Sequence, residues 1–224
     1  VLDPPRLVDG EHHVHRRRQL LAQRGGQRRL LLEDGARLLV EVGEREQIVD
    51  ALVGGAAEVG DLDREVARAV ERARAQNVPV IWVQHAGRDL AYGSTEWQWV
   101  PEATPAEGET LIHKQFNSSF EQTALDQELA KIGATHIALA GAATNWCIRA
   151  TAYGALDRGY DLTPIQDAHT TGTMELDDGV KIEAAHLIHE LNIAMSWLRY
   201  PGRTNGTAMA EAIVMNAKCQ RPAV

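Results

Sequence analysis

A cysteine at position 147 stands where a thiol is readily turned into a nucleophile. The segment Ala138 to Ala152 (ALAGAATNWCIRATA) passes from an apolar run through Gly141 into a helical pattern. Cys147 is therefore expected in the first turn of a helix that directly follows a buried strand. The N–H groups of a first helical turn have no partners within the helix, and that end of the helix dipole is positive. A thiol placed there loses its proton more easily, and the thiolate is the attacking species. The small residues Ala150, Ala152, Gly154 and Ala155 let the helix press against the sheet and hold the sulfur in place. An inert buried cysteine fits the same segment, since free cysteine is among the most buried residue types. A second segment favours the nucleophile. Leu111 to Phe120 (LIHKQFNSSF) ends a short apolar run with Lys114. A lysine at a strand's carboxyl end reaches the cleft where Cys147 is expected, and a neighbouring cation stabilises a thiolate. The competing reading of Lys114 is a solvated surface lysine.

The elements that must position these residues follow from periodicity. Asp61 to Gln76 has the apolar spacing of an amphipathic helix, with an acidic first turn and a basic end. Val78 to Val83 is continuously apolar, as in a strand buried on both faces. A polar loop over residues 85–109 carries Trp97 and Trp99. Thr123 to Ile132 reads as a helix closed by Gly133, Ile137 to Ala140 as a strand, Trp146 to Asp157 as a helix and Tyr160 to Ile165 as a strand. A further helix is expected around Gly179 to His189, and a last strand over Ile193 to Leu198. Upstream, Leu30 to Leu32 and Leu38 to Val42 flank Asp34-Gly35, the pattern of a hairpin with an Asp-Gly turn. Strands alternating with helices predict an α/β fold with a mostly parallel sheet covered on both faces. Active sites in such sheets lie at the carboxyl ends of the strands.

Residues 1–36 show no apolar period and are expected to form an atypical arm ahead of a single domain over residues 37–224. His12, His13 and His15 in that arm have no carboxylate or cysteine at ligand spacing, so no metal site is expected there. The net charge of −8 argues against the basic surface that binds nucleic acid phosphates. No apolar stretch is long enough to span a bilayer and no secretory pattern opens the chain, so neither membrane nor nucleic acid is an expected partner and the expected location is cytoplasmic. Two cysteines, Cys147 and Cys219, are too few for a disulfide framework, and Cys219 carries no motif.

Lys114-x-x-x-Ser118-Ser119-Phe120, followed by Gly141-x-x-Thr144-x-x-Cys147-Ile148-x-x-Thr151-Ala152, resembles the isochorismatase-like cysteine hydrolases. Gly159 to Leu162, Asp167-Ala168 and Pro201 to Thr204 extend the resemblance, which covers roughly residues 61–206. It implies a three-layer α/β/α sandwich around a central, mostly parallel sheet. It also implies an Asp, Lys and Cys triad, of which Lys114 and Cys147 match two members. A cis peptide is implied between Ala142 and Ala143, and an oxyanion hole made of the N–H groups of Ala143 and Cys147. The implied chemistry is hydrolysis of an amide, ureido or lactam C–N bond in a small-molecule substrate, through a cysteine thioester. Some members of that family bind zinc through Asp-x-His and a further histidine; no metal and no cofactor are expected here. Family resemblance further implies a homo-oligomer.

The third triad member is where the chain departs from the pattern. The family ends its first strand with Asp-x-Gln, and no such motif stands here. Asp50, after Gln47-Ile48-Val49, has the best spacing to the helix at Asp61 and is the expected acid. Asp34 follows a stronger apolar run, and Glu41 sits inside Leu38 to Val42, so both stay open. If the acid has been lost, the alternative function is an inactive module of the same fold that binds or assembles. His85, Trp97, Trp99, Phe116 and Trp146 are candidate substrate contacts, against a purely structural role for each.

Overall fold

The computed structural model describes residues 31–32, 36–42, 59–87, 91–94 and 97–215, with residues 31–32, 36–42, 59–62 and 214–215 described by their backbone alone. Its centre is a parallel sheet of β2 (Ala36–Val42), β3 (Val80–His85), β4 (Thr110–Lys114), β5 (His136–Ala142) and β6 (Asp161–Thr170). The strands are ordered β4-β3-β2-β5-β6. The chain therefore winds outward from β2 through β3 to β4, then returns to the other side of β2 and continues to β6. The crevice between β2 and β5 is the topological switch point, where ligands bind in open α/β sheets. Outside β6, residues 204–208 run alongside as a partial parallel edge: Leu162 N–H donates to Thr204 O at 3.0 Å and Gln166 N–H to Ala208 O at 2.9 Å.

Both faces of the sheet are covered, which is why its strands read as continuous apolar runs rather than alternating ones. On one face Val80 and Trp82 of β3 and Ala138 and Ala140 of β5 meet Val66, Ala69, Val70 and Ala73 of α1 (Val59–Ala75). On the other, Ile81, Val83, Ile137 and Leu139 meet α2 (Leu125–Lys131), α3 (Arg149–Asp157) and α4 (Ala184–Trp197). The result is the expected three-layer sandwich. The glycine in α3 permits a tight approach: a Cβ on Gly154 would stand 3.1 Å from the Phe120 ring.

Three expected elements differ. The segment Ile193 to Trp197 is helical, the end of α4 rather than a strand, with Leu198 its cap, and the helix begins at Ala184 rather than near Gly179. Leu191 and Met195, four residues apart, are buried while Ile193 and Trp197 are exposed. Such a run of apolar residues suits either element by type, and packing against β6 selects the helical period. Gly179 instead lies in the turn between the short antiparallel strands β7 (Met174–Glu175) and β8 (Lys181–Ile182). The expected Asp-Gly hairpin is also absent. β1 (Leu31–Leu32) pairs with β9 (Val214–Met215), and β2 has parallel partners on both edges, so it has no edge left for a hairpin. Among the described residues no helix is long and apolar enough to cross a membrane.

His136 opens β5 in a buried position, its Nε2 2.9 Å from Thr163 Oγ1. Burial lowers its pKa to about 4, with Asp161 opposing. The unfolded chain, with an ordinary histidine, takes up this proton first as pH falls. The stabilisation is therefore complete above the ordinary histidine value of 6.5 and is lost as pH falls from there towards about 4. It amounts to about 3 kcal/mol. Urea midpoints measured between pH 7 and 4.5 should fall less steeply for His136→Gln than for the native chain. Identical slopes would show that His136 does not carry this acid sensitivity.

Candidate active site

The carboxyl ends of the parallel strands carry Lys114 and the turn that bears Cys147 to the same end of the sheet. Lys114 is the last residue of β4 and pairs in register with His85, the last of β3. Although a lysine, it is only 2% exposed. Its Nζ donates to the Asn117 carbonyl at 2.7 Å, so the loop that follows the strand turns back to hold the ammonium. The next residues are anchored to α3: Ser119 N–H donates to Thr151 Oγ1 at 2.9 Å, and Phe120 lies under the Arg158 guanidinium at 4.4 Å. The small polar residues after Lys114 thus tie the lysine's loop to the helix that continues from Cys147.

On the other side of β2, β5 ends at Ala142, and the peptide bond from Ala142 to Ala143 is cis. Thr144 to Ile148 then form a π-helical turn before α3 begins at Arg149. Cys147 thus lies one element earlier than expected, in a wide turn ahead of the α-helix. The turn wraps around the Ala143 carbonyl, which accepts N–H bonds from Trp146 and Ile148, each at 3.1 Å. Cys147 is 7% exposed and belongs to neither apolar cluster that covers the sheet.

Lys114 and Cys147 extend from strands three places apart in the sheet, a span of roughly 14 Å at the usual strand spacing, and the end of β2 lies between them. Glu41 is the penultimate residue of β2, in register with Val83 on one side and Gly141 on the other. Val83 pairs with Ile112, two residues before Lys114, so Glu41 and Lys114 fall in the same pleat phase. That phase belongs to the face covered by α3. Asp50 and Asp34 lie outside the described residues, as do the arm histidines and Cys219.

The candidate substrate contacts divide. His85 is partly buried at the end of β3, and burial together with the Lys114 cation lowers its pKa, which keeps the ring neutral. Trp97 donates its indole N–H to the His85 carbonyl at 3.0 Å and lies tilted against the rings of Tyr92 and His113, at the ends of β3 and β4. Trp99 packs edge-on against Trp82 in the core and is structural. Phe116 and Trp146 lie close in sequence to the two catalytic candidates and are 44% and 45% exposed. Asp167 accepts the Ala210 N–H at 2.8 Å and ties down the 204–210 segment. Among the described residues no group of three His, Cys, Asp or Glu side chains is arranged to hold a metal.

One set of contacts escapes sequence reasoning. Thr144 Oγ1 lies 2.9 Å from His169 Nδ1, whose Nε2 lies 3.0 Å from Asn192 Oδ1. The next residue of the turn, Asn145, accepts a hydrogen bond from Thr171 and donates to Met174 Sδ. Thr144 stands out in the motif before Cys147, but its partners come from β6 and α4, and nothing local announces them.

The family model for the isochorismatase domain matches residues 41–191, more than half of the chain. The chain belongs to the isochorismatase family. This is a family of hydrolases, and amidohydrolases are among the relatives of this isochorismatase-family protein. Over 151 residues it is 30% identical to the ureidoacrylate amidohydrolase RutB of Methylobacterium radiotolerans, covering 52% of this chain and 58% of that one. Over 136 residues it is 29% identical to the streptothricin hydrolase of Streptomyces noursei, covering 58% of this chain and 54% of that one. It thus spans little more than half the length of these two curated relatives. An isochorismatase from Pseudomonas putida shares the fold at a TM-score of 0.68 with 23% identity, over 88% of this chain and 97% of its own.

Proposed function

We propose that this isochorismatase-family protein hydrolyses a C–N bond of a small amide or ureido compound, with Cys147 as nucleophile, Lys114 as the cation that holds the thiolate, and Glu41 as the proton carrier. The observation that carries the reading is the burial of Lys114 at the same end of the sheet as Cys147. A buried ammonium is costly unless anions and acceptors compensate it, and a thiolate and a carboxylate supply that compensation. The acid is Glu41 rather than Asp50 because it stands on the central strand, between the strands that deliver the other two, in the pleat phase of Lys114. The family match begins at this residue.

In the first stage the Glu41 carboxylate takes the thiol proton and the sulfur attacks the substrate carbonyl carbon. The oxyanion rests against the N–H groups of Ala143 and Cys147, the role such donors serve in acyl transfer. The intermediate collapses, the C–N bond breaks, and the amine leaves with the proton from Glu41. In the second stage the carboxylate draws a proton from water, the hydroxide attacks the thioester, and the sulfur leaves as the thiolate and takes the proton back from Glu41, regenerating the site. Phe116 and Trp146 wall the substrate, and His85, neutral beside Lys114, hydrogen-bonds it. The relatives' printed activities point to ureido acids and cyclic amides as the substrates to try first.

Ammonia or amine release from a panel of small amides, ureides and lactams tests this reading. At least one should be turned over, with loss of all activity after stoichiometric alkylation of Cys147. Activity that survives complete alkylation of Cys147 would refute the cysteine mechanism.

A further inference from the structure

We propose that His169 is a positioning residue that orients the turn bearing the nucleophile, through a hydrogen-bond relay whose direction is set by a single backbone carbonyl. The inference rests on the role assigned to Cys147 above.

The relay begins on α4. Asn192 on α4 donates its Nδ2 proton to the Gln166 carbonyl at 3.1 Å. A carbonyl can only accept, so the Asn192 amide cannot be reversed without setting two oxygens against each other. Its Oδ1 must then face His169, and with 3.0 Å between them the proton belongs to His169 Nε2. A neutral imidazole with its proton on Nε2 has an acceptor at Nδ1. The Thr144 hydroxyl, 2.9 Å away and fully buried, is thereby obliged to donate to it. Burial lowers the His169 pKa, which keeps the ring in this neutral form.

Thr144 opens the turn that presents Cys147, and the relay fixes its side-chain rotamer, with the hydroxyl proton committed to β6. The adjacent tie from Asn145 to Thr171 holds the second residue of the same turn to the same segment. The turn is not closed by a side-chain cap of its own. Its geometry relative to the sheet therefore depends on these lateral tethers, and a nucleophile displaced by about 1 Å loses on the order of 100-fold in rate.

The experiment has two readouts on the full-length protein. Nitrogen-15 NMR of the imidazoles should show His169 as the neutral Nε2–H tautomer; a doubly protonated ring or the Nδ1–H tautomer overturns the proposal. This readout needs no turnover, so it stands apart from the hydrolase reading. In kinetics on a substrate from the panel, His169→Leu should lower kcat by about 100-fold with KM changed by less than about 3-fold. His169→Asn, which restores an acceptor near the place of Nδ1, should recover at least about tenfold of that loss. Unchanged kcat in His169→Leu, or no recovery in His169→Asn, overturns the positioning role. If His169→Leu does not fold, Asn192→Leu breaks the relay at its partly exposed end, and undiminished kcat there overturns it equally. If no amide is hydrolysed, slower alkylation of Cys147 in these variants still supports positioning while the hydrolase reading fails; unchanged alkylation overturns both.

Discussion

Replacing Cys147 by serine should lower the turnover of any amide substrate by about 10,000-fold or more while leaving the fold intact. The hydroxyl is smaller and far less acidic than the thiol, so a carboxylate base that can ionise cysteine cannot ionise serine to a useful extent. The remaining groups still bind and polarise the carbonyl, which leaves a residual rate above that of the uncatalysed reaction. The substitution should cost under about 1 kcal/mol of stability, since it exchanges one small atom without opening a cavity and Cys147 is outside both apolar clusters. Mass spectrometry of the native protein quenched in acid during turnover should show an acyl adduct on the peptide containing Cys147, and none in Cys147→Ser. Full activity in the serine variant would remove the nucleophile from the mechanism.

Glu41→Gln should reduce kcat by about 1,000-fold, the middle of the range for loss of a general acid and base. Asp50→Asn should change it by less than about 3-fold, since Asp50 carries no proton in the proposed mechanism. Both replacements remove a charge and keep nearly the same shape, so the contrast isolates which carboxylate moves the proton. Lys114→Met gives a companion result. It retains the buried stem and removes the ammonium, so alkylation of Cys147 at neutral pH should slow by about tenfold or more. A large loss in Asp50→Asn with little in Glu41→Gln would reverse the assignment of the acid. Rapid alkylation in Lys114→Met would show that the thiolate does not depend on the lysine.

The helix of residues 59–75, the buried strands around Trp82 and Leu139, and the helix after Cys147 were legible because each carries its own period or a continuous apolar run. Thr110 to Lys114 was readable as a strand end from a lysine closing an apolar stretch. Ile193 to Leu198 was not: its apolar residues satisfy strand and helix alike, and only contact with the sheet, which buries Met195 and leaves Trp197 open, decides between them. Leu30 to Val42 misled for a different reason. An Asp-Gly pair signals a turn locally, but whether two flanking strands pair depends on what else competes for their edges. Here β3 and β5 take both edges of β2.

The residues able to do chemistry were set by the sequence alone: a thiol before a helix, a lysine ending a strand, and the spacing that links each to its neighbours. These are properties of short segments, and short segments carry their own propensities. What holds the thiol's turn was decided only by the tertiary structure. Glu41, one of three acids the sequence leaves open, is the one proposed because of its place on the middle strand, and Thr144 meets His169, which in turn meets Asn192, across gaps of 25 and 23 residues. The physical reason is that strand order and helix packing bring together groups whose separation along the chain bears no relation to their distance in space.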